Sequence, residues 1–261
     1  MFYTVEAPNG QQNWLIGTIH SEDERVLDFP PVLQQALIQA DRLALELVPD
    51  QKMLNALDQA MRLPPGDSLE GRIGSDLYRK TVDVLKEYGF DEREIDRMAP
   101  WAVAVTLALP PPRTGLFMDM ALAAAASRHG AELIALETLD EQLQFMTALG
   151  ETAHLRMLEI ALADFENGQM MFEALIEAYR VGCLDTLQEL AFEEFEKMGP
   201  ALGATFHQSG LVDRNRRMAR RVQTLLDRGN TLIAVGALHL PGGEGLIALL
   251  REQGNEVVAV Y

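Results

Sequence analysis

Short apolar runs and longer amphipathic stretches alternate near both ends of this chain. Continuous apolar runs followed by stretches of helical spacing indicate buried parallel strands joined by helices. On this pattern we predict strands over residues 13–19, 42–48, 132–137, 231–235 and 256–261. The intervening pattern predicts helices over residues 30–40, 118–127 and 243–253.

The middle of the chain has helical spacing with few strand signals. Residues 51–109 are predicted helical with breaks at 63–67 and 88–90, and Pro110-Pro111-Pro112 predicts a stiff connector. Residues 140–228 are also predicted helical, with turns near 167–168, 182 and 198–210. We therefore predict an α/β fold with a mostly parallel central sheet flanked by helices. The parts at about 51–109 and 140–228 form a helical lobe over the strand C-terminal edge, within a single domain of residues 1–261.

The same four-residue phrase, Gly-x-x-His, closes an apolar run near each end of the chain. It occurs as Gly17-Thr18-Ile19-His20 and as Gly236-Ala237-Leu238-His239. Parallel strands place their C-terminal ends on one edge of a sheet, where ligands usually bind. We therefore expect both imidazoles to face one crevice.

Two further predicted strands end in a glutamate, Glu46 after Leu43-Ala44-Leu45 and Glu137 after Ile134-Ala135-Leu136. A charged group at the end of an apolar run is costly to bury without a partner, so each glutamate either reaches solvent or belongs to a polar site. Two imidazoles with one or two carboxylates form a nitrogen and oxygen donor set suited to a divalent ion that activates water.

Taken alone, each of these residues is typical of a hydrogen-bonded core histidine or of a charge at the end of a strand. A single copy of the four-residue phrase is too short to identify a functional site. Its repetition favours a functional site formed by His20, Glu46, Glu137 and His239. Glu151-Thr152-Ala153-His154 matches one half of a di-iron motif, but the chain has a single copy and that chemistry needs two.

Composition narrows the classes of partner. The net charge of −17 argues against nucleic acid and anionic membrane surfaces. The basic segment 213–221 is expected to be a solvated, salt-bridged helix face. The single Cys183 excludes an intrachain disulfide and a cysteine zinc finger, and no stretch is apolar enough for a membrane span.

The N-terminal residues 1–6 have neither the basic nor the apolar region of a signal peptide. We therefore expect a cytoplasmic protein as the chain stands. The alternative is an exported protein, if the chain is a trimmed mature form.

Five segments together resemble the TraB/GumN family, which is related to the Tiki proteases and more distantly to erythromycin esterases and the haem-binding ChaN proteins. They are residues 15–20, 44–47, 136–142, 213–215 and 235–242, and the resemblance extends from about residue 13 to 261. It implies a metal-dependent hydrolase centred on the two Gly-x-x-His histidines and a strand-end glutamate. Tiki proteases cleave peptides with Mn or Co support, so the expected cofactor is a divalent metal, Mn, Co or Zn.

The resemblance implies His20, Glu46 and His239 as the metal ligands. Glu137 completes the ligand set or acts as the general base. We expect Glu46 at the metal and Glu137 one layer further out. The Arg214-Asn215 pair is expected to stabilise developing oxyanion charge.

Asp119 occupies a recurrent acidic position of the family. It is expected either to support the site from behind the ligands or to be a helix N-terminal charge.

The predicted function is metal-dependent hydrolysis of a peptide bond, with a peptide or small molecule as substrate. Two alternatives stay open. One is a metal-independent ester or amide hydrolase of the erythromycin-esterase type, in which a histidine activates water directly. The other is a non-catalytic protein that binds haem, a metal or a peptide.

Overall fold

The structure, a computed structural model of residues 1–261, is built on one six-stranded sheet. Its strands are β1 Phe2–Glu6, β2 Gln12–Thr18, β3 Arg42–Leu45, β4 Glu132–Ala135, β5 Thr231–Gly236 and β6 Glu256–Ala259. They lie in the order β4-β3-β5-β2-β1-β6. Strands β2 to β5 are mutually parallel, whereas β1 is antiparallel to both β2 and β6. The predicted α/β fold with a mostly parallel sheet is confirmed.

Fifteen α-helices surround the sheet. They are α1 Glu24–Leu27, α2 Pro31–Gln39, α3 Gln51–Ala60, α4 Leu69–Ile73, α5 Ser75–Leu85, α6 Glu92–Ile95, α7 Pro100–Leu107, α8 Met118–Arg128, α9 Leu139–Ala148, α10 Glu151–Ala163, α11 Phe165–Arg180, α12 Leu184–Lys197, α13 Pro200–Thr205, α14 Asp213–Leu226 and α15 Leu246–Glu252. None of them is both long and apolar enough to cross a membrane.

The central strands are apolar on both faces because helices cover both sides. Leu33, Leu37, Leu122 and Ala126 of α2 and α8 pack against one face of the sheet. On the other face, Met218, Val222 and Leu226 of α14 pack with Leu246 and Leu250 of α15. This two-sided burial explains why β3 and β5 are almost wholly apolar.

A separate apolar core holds together helices α4 to α7, α9 and α10, which we call the helical lobe from here on. It joins residues of α4 to α7, such as Leu69, Leu85 and Trp101, to Met146 of α9 and Leu158 of α10. Helix α11 instead reaches the end of β2, where the Tyr179 hydroxyl donates to the Gly17 carbonyl at 2.7 Å. Gln142 of α9 also reaches the strand ends, where its amide donates to the carboxylate of Glu46 at 3.1 Å.

Three features differ from the predicted elements. Phe2–Glu6 is a strand, paired with β2 and β6, which we did not predict although Phe2-Tyr3-Thr4-Val5 consists of residues that favour strands. Asn167-Gly168, predicted as a turn, lies inside α11. The predicted turn at 198–210 contains α13 and a π-helix, Phe206–Val212, that leads directly into α14.

Candidate functional site

Both glycines of the repeated phrase lie against close neighbours at the strand ends. A Cβ on Gly17 would lie 2.8 Å from Leu240 Cδ1 and 3.0 Å from Ala237 Cα. A Cβ on Gly236 would lie 3.2 Å from Glu46 Oε1. Glycine therefore lets the two Gly-x-x-His segments pack side by side and lets Glu46 approach the backbone of β5.

His239 is buried and oriented by a single amide. It ends the 3₁₀ turn Ala237–His239, and its Nδ1 lies 2.6 Å from Asn215 Oδ1. The Asn215 amide is fixed in this orientation because its Nδ2 donates to the Glu244 carbonyl at 2.8 Å. Since Oδ1 can only accept, Nδ1 of the imidazole carries the proton. Burial lowers the pKa of His239, and the negative charge of Glu46 offsets only part of this shift. The imidazole is therefore neutral near pH 7, and its Nε2 has a free lone pair.

Glu46 follows β3 and uses both of its carboxylate oxygens. Oε1 accepts from the Gly236 N–H at 2.7 Å, while Oε2 accepts from Gln142 at 3.1 Å and from Arg214. Burial alone would raise the pKa of Glu46, but any positive charge on His239, the charge of Arg214 and the hydrogen bond from the Gly236 N–H hold it below its usual range. The carboxylate is therefore charged at neutral pH.

Two acceptor atoms face each other at the centre of this arrangement. Nε2 of His239 lies 3.7 Å from Oε1 of Glu46, and with His239 neutral neither atom offers a proton to the other. The His239 side chain is 5% exposed and that of Glu46 is 19% exposed, so little water reaches the pair. Such a pair is stabilised by a cation or a hydrogen-bond donor lying between the two atoms.

Glu137 follows β4, the strand next to β3, and its carboxylate is held by two arginines. Its Oε2 accepts from Arg214 Nε at 2.8 Å and Nη2 at 2.6 Å, and its Oε1 accepts from Arg217 Nη2 at 2.8 Å. Its side chain has no exposed surface. Arg214 also contacts Glu46, so two carboxylates and two guanidinium groups form one balanced network.

His20 lies beyond the end of β2, on the other side of β5. Its ring stacks on Phe117 with centroids 4.0 Å apart and an interplanar angle of 12°. The residue keeps accessible surface, yet partial desolvation lowers the pKa of His20 and the charge of Glu46 opposes that shift.

Asp119, at the start of α8, accepts from the Thr18 hydroxyl at 2.9 Å. Burial, followed by the charge of Glu46, raises the pKa of Asp119 to about 6. The Thr18 hydrogen bond lowers it only in part. Asp119 thus titrates closer to neutrality than an ordinary aspartate.

The structure brings the predicted residues to one edge of the sheet but gives them different surroundings. Glu46, His239, Arg214 and Asn215 are linked by the contacts above, whereas Glu137 is turned to the arginines. No three side chains of the His, Cys, Asp and Glu types are grouped so that they could hold an ion. The ligand set His20, Glu46 and His239 remains a prediction.

Sequence reasoning did not single out three contributors to the site, Gln142, Arg217 and Phe117. Gln142 belongs to the segment 136–142, and Arg217 follows Arg214 by three positions, which places both arginines on one helix face. The segment 213–221 is partly the salt-bridged surface that was expected. Arg216 pairs with Glu244 and Arg221 with Glu141, but Arg214 is buried.

The other three histidines lie outside the site, and His129 is an exposed residue that follows α8. His154 Nε2 lies 2.8 Å from the Met146 carbonyl, within the helical lobe. His207 belongs to the π-helix, not to the loop expected there, and its ring packs on the edge of Phe192.

A cleft of about 460 Å³ is lined in part by the residues that follow His20 in the chain. One wall is Ser21 to Asp23, a second is the connector from Pro110 to Arg113, and the third is the face of α11 with Phe172 and Glu173. The lining begins with Ser21, one residue after His20, and does not include His20 itself.

The fold and site define an α/β protein whose polar residues converge at the C-terminal edge of a parallel sheet. The model of the TraB/PrgY/gumN family matches residues 1–259. The chain therefore belongs to this family. No solved structure matches it.

The chain is similar to proteins named as metalloproteases. It is 26% identical to Metalloprotease TIKI2 of Danio rerio, over 98% of this chain and 60% of that protein. It is 24% identical to the Metalloprotease TIKI homolog of Nematostella vectensis, over 94% of this chain and 64% of that protein. The chain thus spans less than two thirds of the length of these relatives.

A bacterial relative matches over a larger share of its own length. The chain is 23% identical to the uncharacterized protein YbaP of Escherichia coli (strain K12), over 95% of this chain and 90% of that protein.

Proposed function

We propose that this protein is a metal-dependent hydrolase that cleaves peptide bonds at the C-terminal edge of its sheet. The observation that carries the proposal is the pair of facing acceptors, Nε2 of His239 and Oε1 of Glu46, 3.7 Å apart. The metalloprotease names of the Tiki relatives support the same reaction class.

The donor atoms of this pair fit a divalent ion. Two atoms that bind one ion at about 2.0 to 2.2 Å are at most about 4.4 Å apart, so their separation is compatible with shared coordination. The Nδ1–H of His239 is held by Asn215, as the second nitrogen of a metal-binding histidine usually is. Glu46 and His239 would hold the ion, with His20 as the third donor.

The bound ion would supply Lewis acidity to the reaction. The protein's own residues supply charge and orientation. Arg214 has its donors engaged by Glu46 and Glu137, so it acts through its positive charge on developing negative charge nearby. Asn215 uses both ends of its amide on His239 and Glu244, and we therefore assign it to orienting His239.

The two remaining carboxyl groups have different roles in this proposal. Asp119, with its pKa raised to about 6, is the group suited to transferring a proton near neutral pH. Glu137 is enclosed by Arg214 and Arg217, and we assign it to holding the two guanidinium groups in place. This assignment differs from the ligand or general-base role that the family resemblance implies for Glu137.

The test combines metal analysis with an unbiased assay. Purified protein is stripped with chelator and reloaded with Mn²⁺, Co²⁺ or Zn²⁺, and each form is incubated with a peptide library. We expect near-stoichiometric metal in the reloaded protein and cleavage only in its presence. His239→Ala should abolish both metal retention and cleavage, while His154→Ala, in the helical lobe, serves as the matched control.

Other outcomes would contradict the proposal. Cleavage of esters or amides that survives chelation would favour the metal-independent hydrolase. Stoichiometric metal without any turnover across the library would favour a binding protein.

A further inference from the structure

A short exposed strap connects the helical lobe to α8 and passes beside His20. We define the strap as residues 110–117. It begins with Pro110-Pro111-Pro112 and ends at Phe117, the residue before α8. Most of it is exposed, and it contains no regular secondary structure. Its conformation must therefore be held by specific contacts.

One carboxylate holds the strap in place. Glu22 accepts from the N–H groups of Arg113, Thr114 and Gly115 and from the Thr114 hydroxyl, the last three at 2.7 to 2.8 Å. Gly115 adopts a positive φ of 72°, which lets successive N–H groups turn toward one acceptor. Hydrogen bonds to an ionised carboxylate are about twice as strong as neutral ones, so this set is a strong fastening for an exposed loop.

The hydrogen bonds to Glu22 bring His20 and Phe117 together, because each lies two residues from a bonded position. Glu22 lies two positions after His20, and Gly115 lies two positions before Phe117. The Met118 N–H also donates to the Ser21 carbonyl at 3.0 Å, which fixes the strap's far end. The two chain segments are thus joined along their length, and the join places the Phe117 ring against the His20 ring.

We infer that Phe117 and Glu22 are positioning residues for His20: the carboxylate fastens the strap, and the aromatic ring in the strap fixes the plane of the imidazole. Near-parallel stacking at 4.0 Å leaves the ring little freedom to tilt. A histidine at the end of a strand, with accessible surface, would otherwise sample several rotamers. The functional meaning of this placement depends on the proposed hydrolase, but the placement itself can be tested without metal or substrate.

Nuclear magnetic resonance of histidine-labelled, metal-free protein tests the stacking directly. The His20 ring protons, assigned by their loss in His20→Gln, should be shifted upfield by the Phe117 ring. Phe117→Leu should abolish the upfield shift, and Phe117→Tyr should retain it. Leu116→Ala, an exposed neighbour in the same strap, should leave it unchanged. An unshifted His20 in the wild-type protein, or a shift that survives Phe117→Leu, would overturn the inference.

Hydrogen exchange tests the fastening. Glu22→Gln should speed exchange of the Thr114 and Gly115 amides by roughly tenfold or more, because an amide cannot replace an ionised acceptor of several N–H groups. Glu24→Gln, at the exposed first residue of α1, is the matched control and should leave their exchange unchanged. Unchanged exchange in Glu22→Gln would contradict the fastening role.

Turnover then separates positioning from a merely structural role. In the metal-loaded enzyme, Phe117→Leu should lower kcat/KM by about two- to tenfold with an unchanged melting temperature, and Phe117→Tyr should restore it. Loss of kcat/KM that follows the melting temperature across these variants would indicate a structural role only. If no metal-dependent turnover exists, the proposed function fails, while the resonance and exchange results still decide the placement of His20.

Discussion

Nη2 of Arg214 lies 2.6 Å from Oε2 of Glu137, and the same nitrogen contacts Oε2 of Glu46. One guanidinium therefore joins the ends of two neighbouring strands, β3 and β4. The burial of Glu137 would be unfavourable without Arg214 and Arg217, since an isolated charge in an apolar interior is costly. This relationship determines what each carboxylate near the site can do.

Glu137→Gln should destabilise the protein by about 3 to 5 kcal/mol, because it leaves the buried Arg214 and the partly exposed Arg217 facing a neutral amide. Urea unfolding of the metal-free protein measures this. Glu132→Gln, on the exposed start of the same strand, is the control and should change stability by less than about 0.5 kcal/mol. Unchanged stability with lost turnover would return Glu137 to a general-base role.

Glu46→Gln should lower the affinity for Mn²⁺ by more than about a hundredfold, because an amide is a weaker ligand and brings no charge. Removing groups that only support a ligand typically costs about 10- to 100-fold, so a larger loss marks a ligand. Isothermal titration measures the affinity. Normal Mn²⁺ binding by Glu46→Gln would exclude this residue as a ligand.

Asn215→Ala should weaken Mn²⁺ binding by about 10- to 100-fold, because His239 loses the acceptor that holds its Nδ1–H. Asn215→Asp keeps that acceptor and should lose less. The comparison of the two variants by titration isolates the orienting contact, since both remove the bond to the Glu244 carbonyl. Equal losses in both variants would point to that second bond instead.

Asp119→Asn should lower the rate by about a hundredfold to ten-thousandfold if Asp119 transfers the proton. The same variant should be more stable by about 1 to 2 kcal/mol at pH 8. The pKa of Asp119 is raised to about 6, so keeping it charged opposes folding above that pH. Urea unfolding at pH 8 and at pH 4 provides the check, because the difference should vanish where Asp119 is protonated. A variant that is both active and no more stable would remove Asp119 from the mechanism.

Glu141→Gln should destabilise the protein near neutral pH and have no effect near pH 2. Arg221 and then the Thr138 N–H lower the pKa of Glu141 to about 2. Its contribution is therefore full above the unfolded pKa of about 4.3 and is lost as the pH falls toward 2. With its side chain 28% exposed, we expect about 1 to 2 kcal/mol. Thermal melts of both proteins across pH 2 to 7 give the curve, and a constant difference would contradict this assignment.

The sequence predicted those parts of the fold that local pattern determines. The strands that end near His20, Glu46, Glu137 and His239 were predicted because each is a short apolar run closed by a polar residue. The Asn167-Gly168 dipeptide misled because its turn preference is local. In α11 it is outweighed by packing of the following residues, such as Phe172 and Ile176, against the rest of the protein.

The sequence predicted which residues lie at the site better than it predicted which of them contact each other. Strand ends place side chains at a common edge, but which carboxylate pairs with which arginine depends on α14, about 80 residues further along the chain from Glu137. The stacking of Phe117 on His20 depends on the strap and on Glu22. No local pattern encodes these choices.

The strand order gives the site a further property. Strand β5 is one of the last elements in the chain, yet it lies in the sheet between β3 and β2, which occur early in the sequence. Until β5 is in place, β2 and β3 have no shared neighbour in the sheet, and His239 is not beside Glu46. Pairings of such long sequence separation form slowly because loop closure must precede them. The site is therefore complete only when the whole sheet has folded. A chain truncated before residue 231 would lack both His239 and the strand that joins the two halves of the sheet.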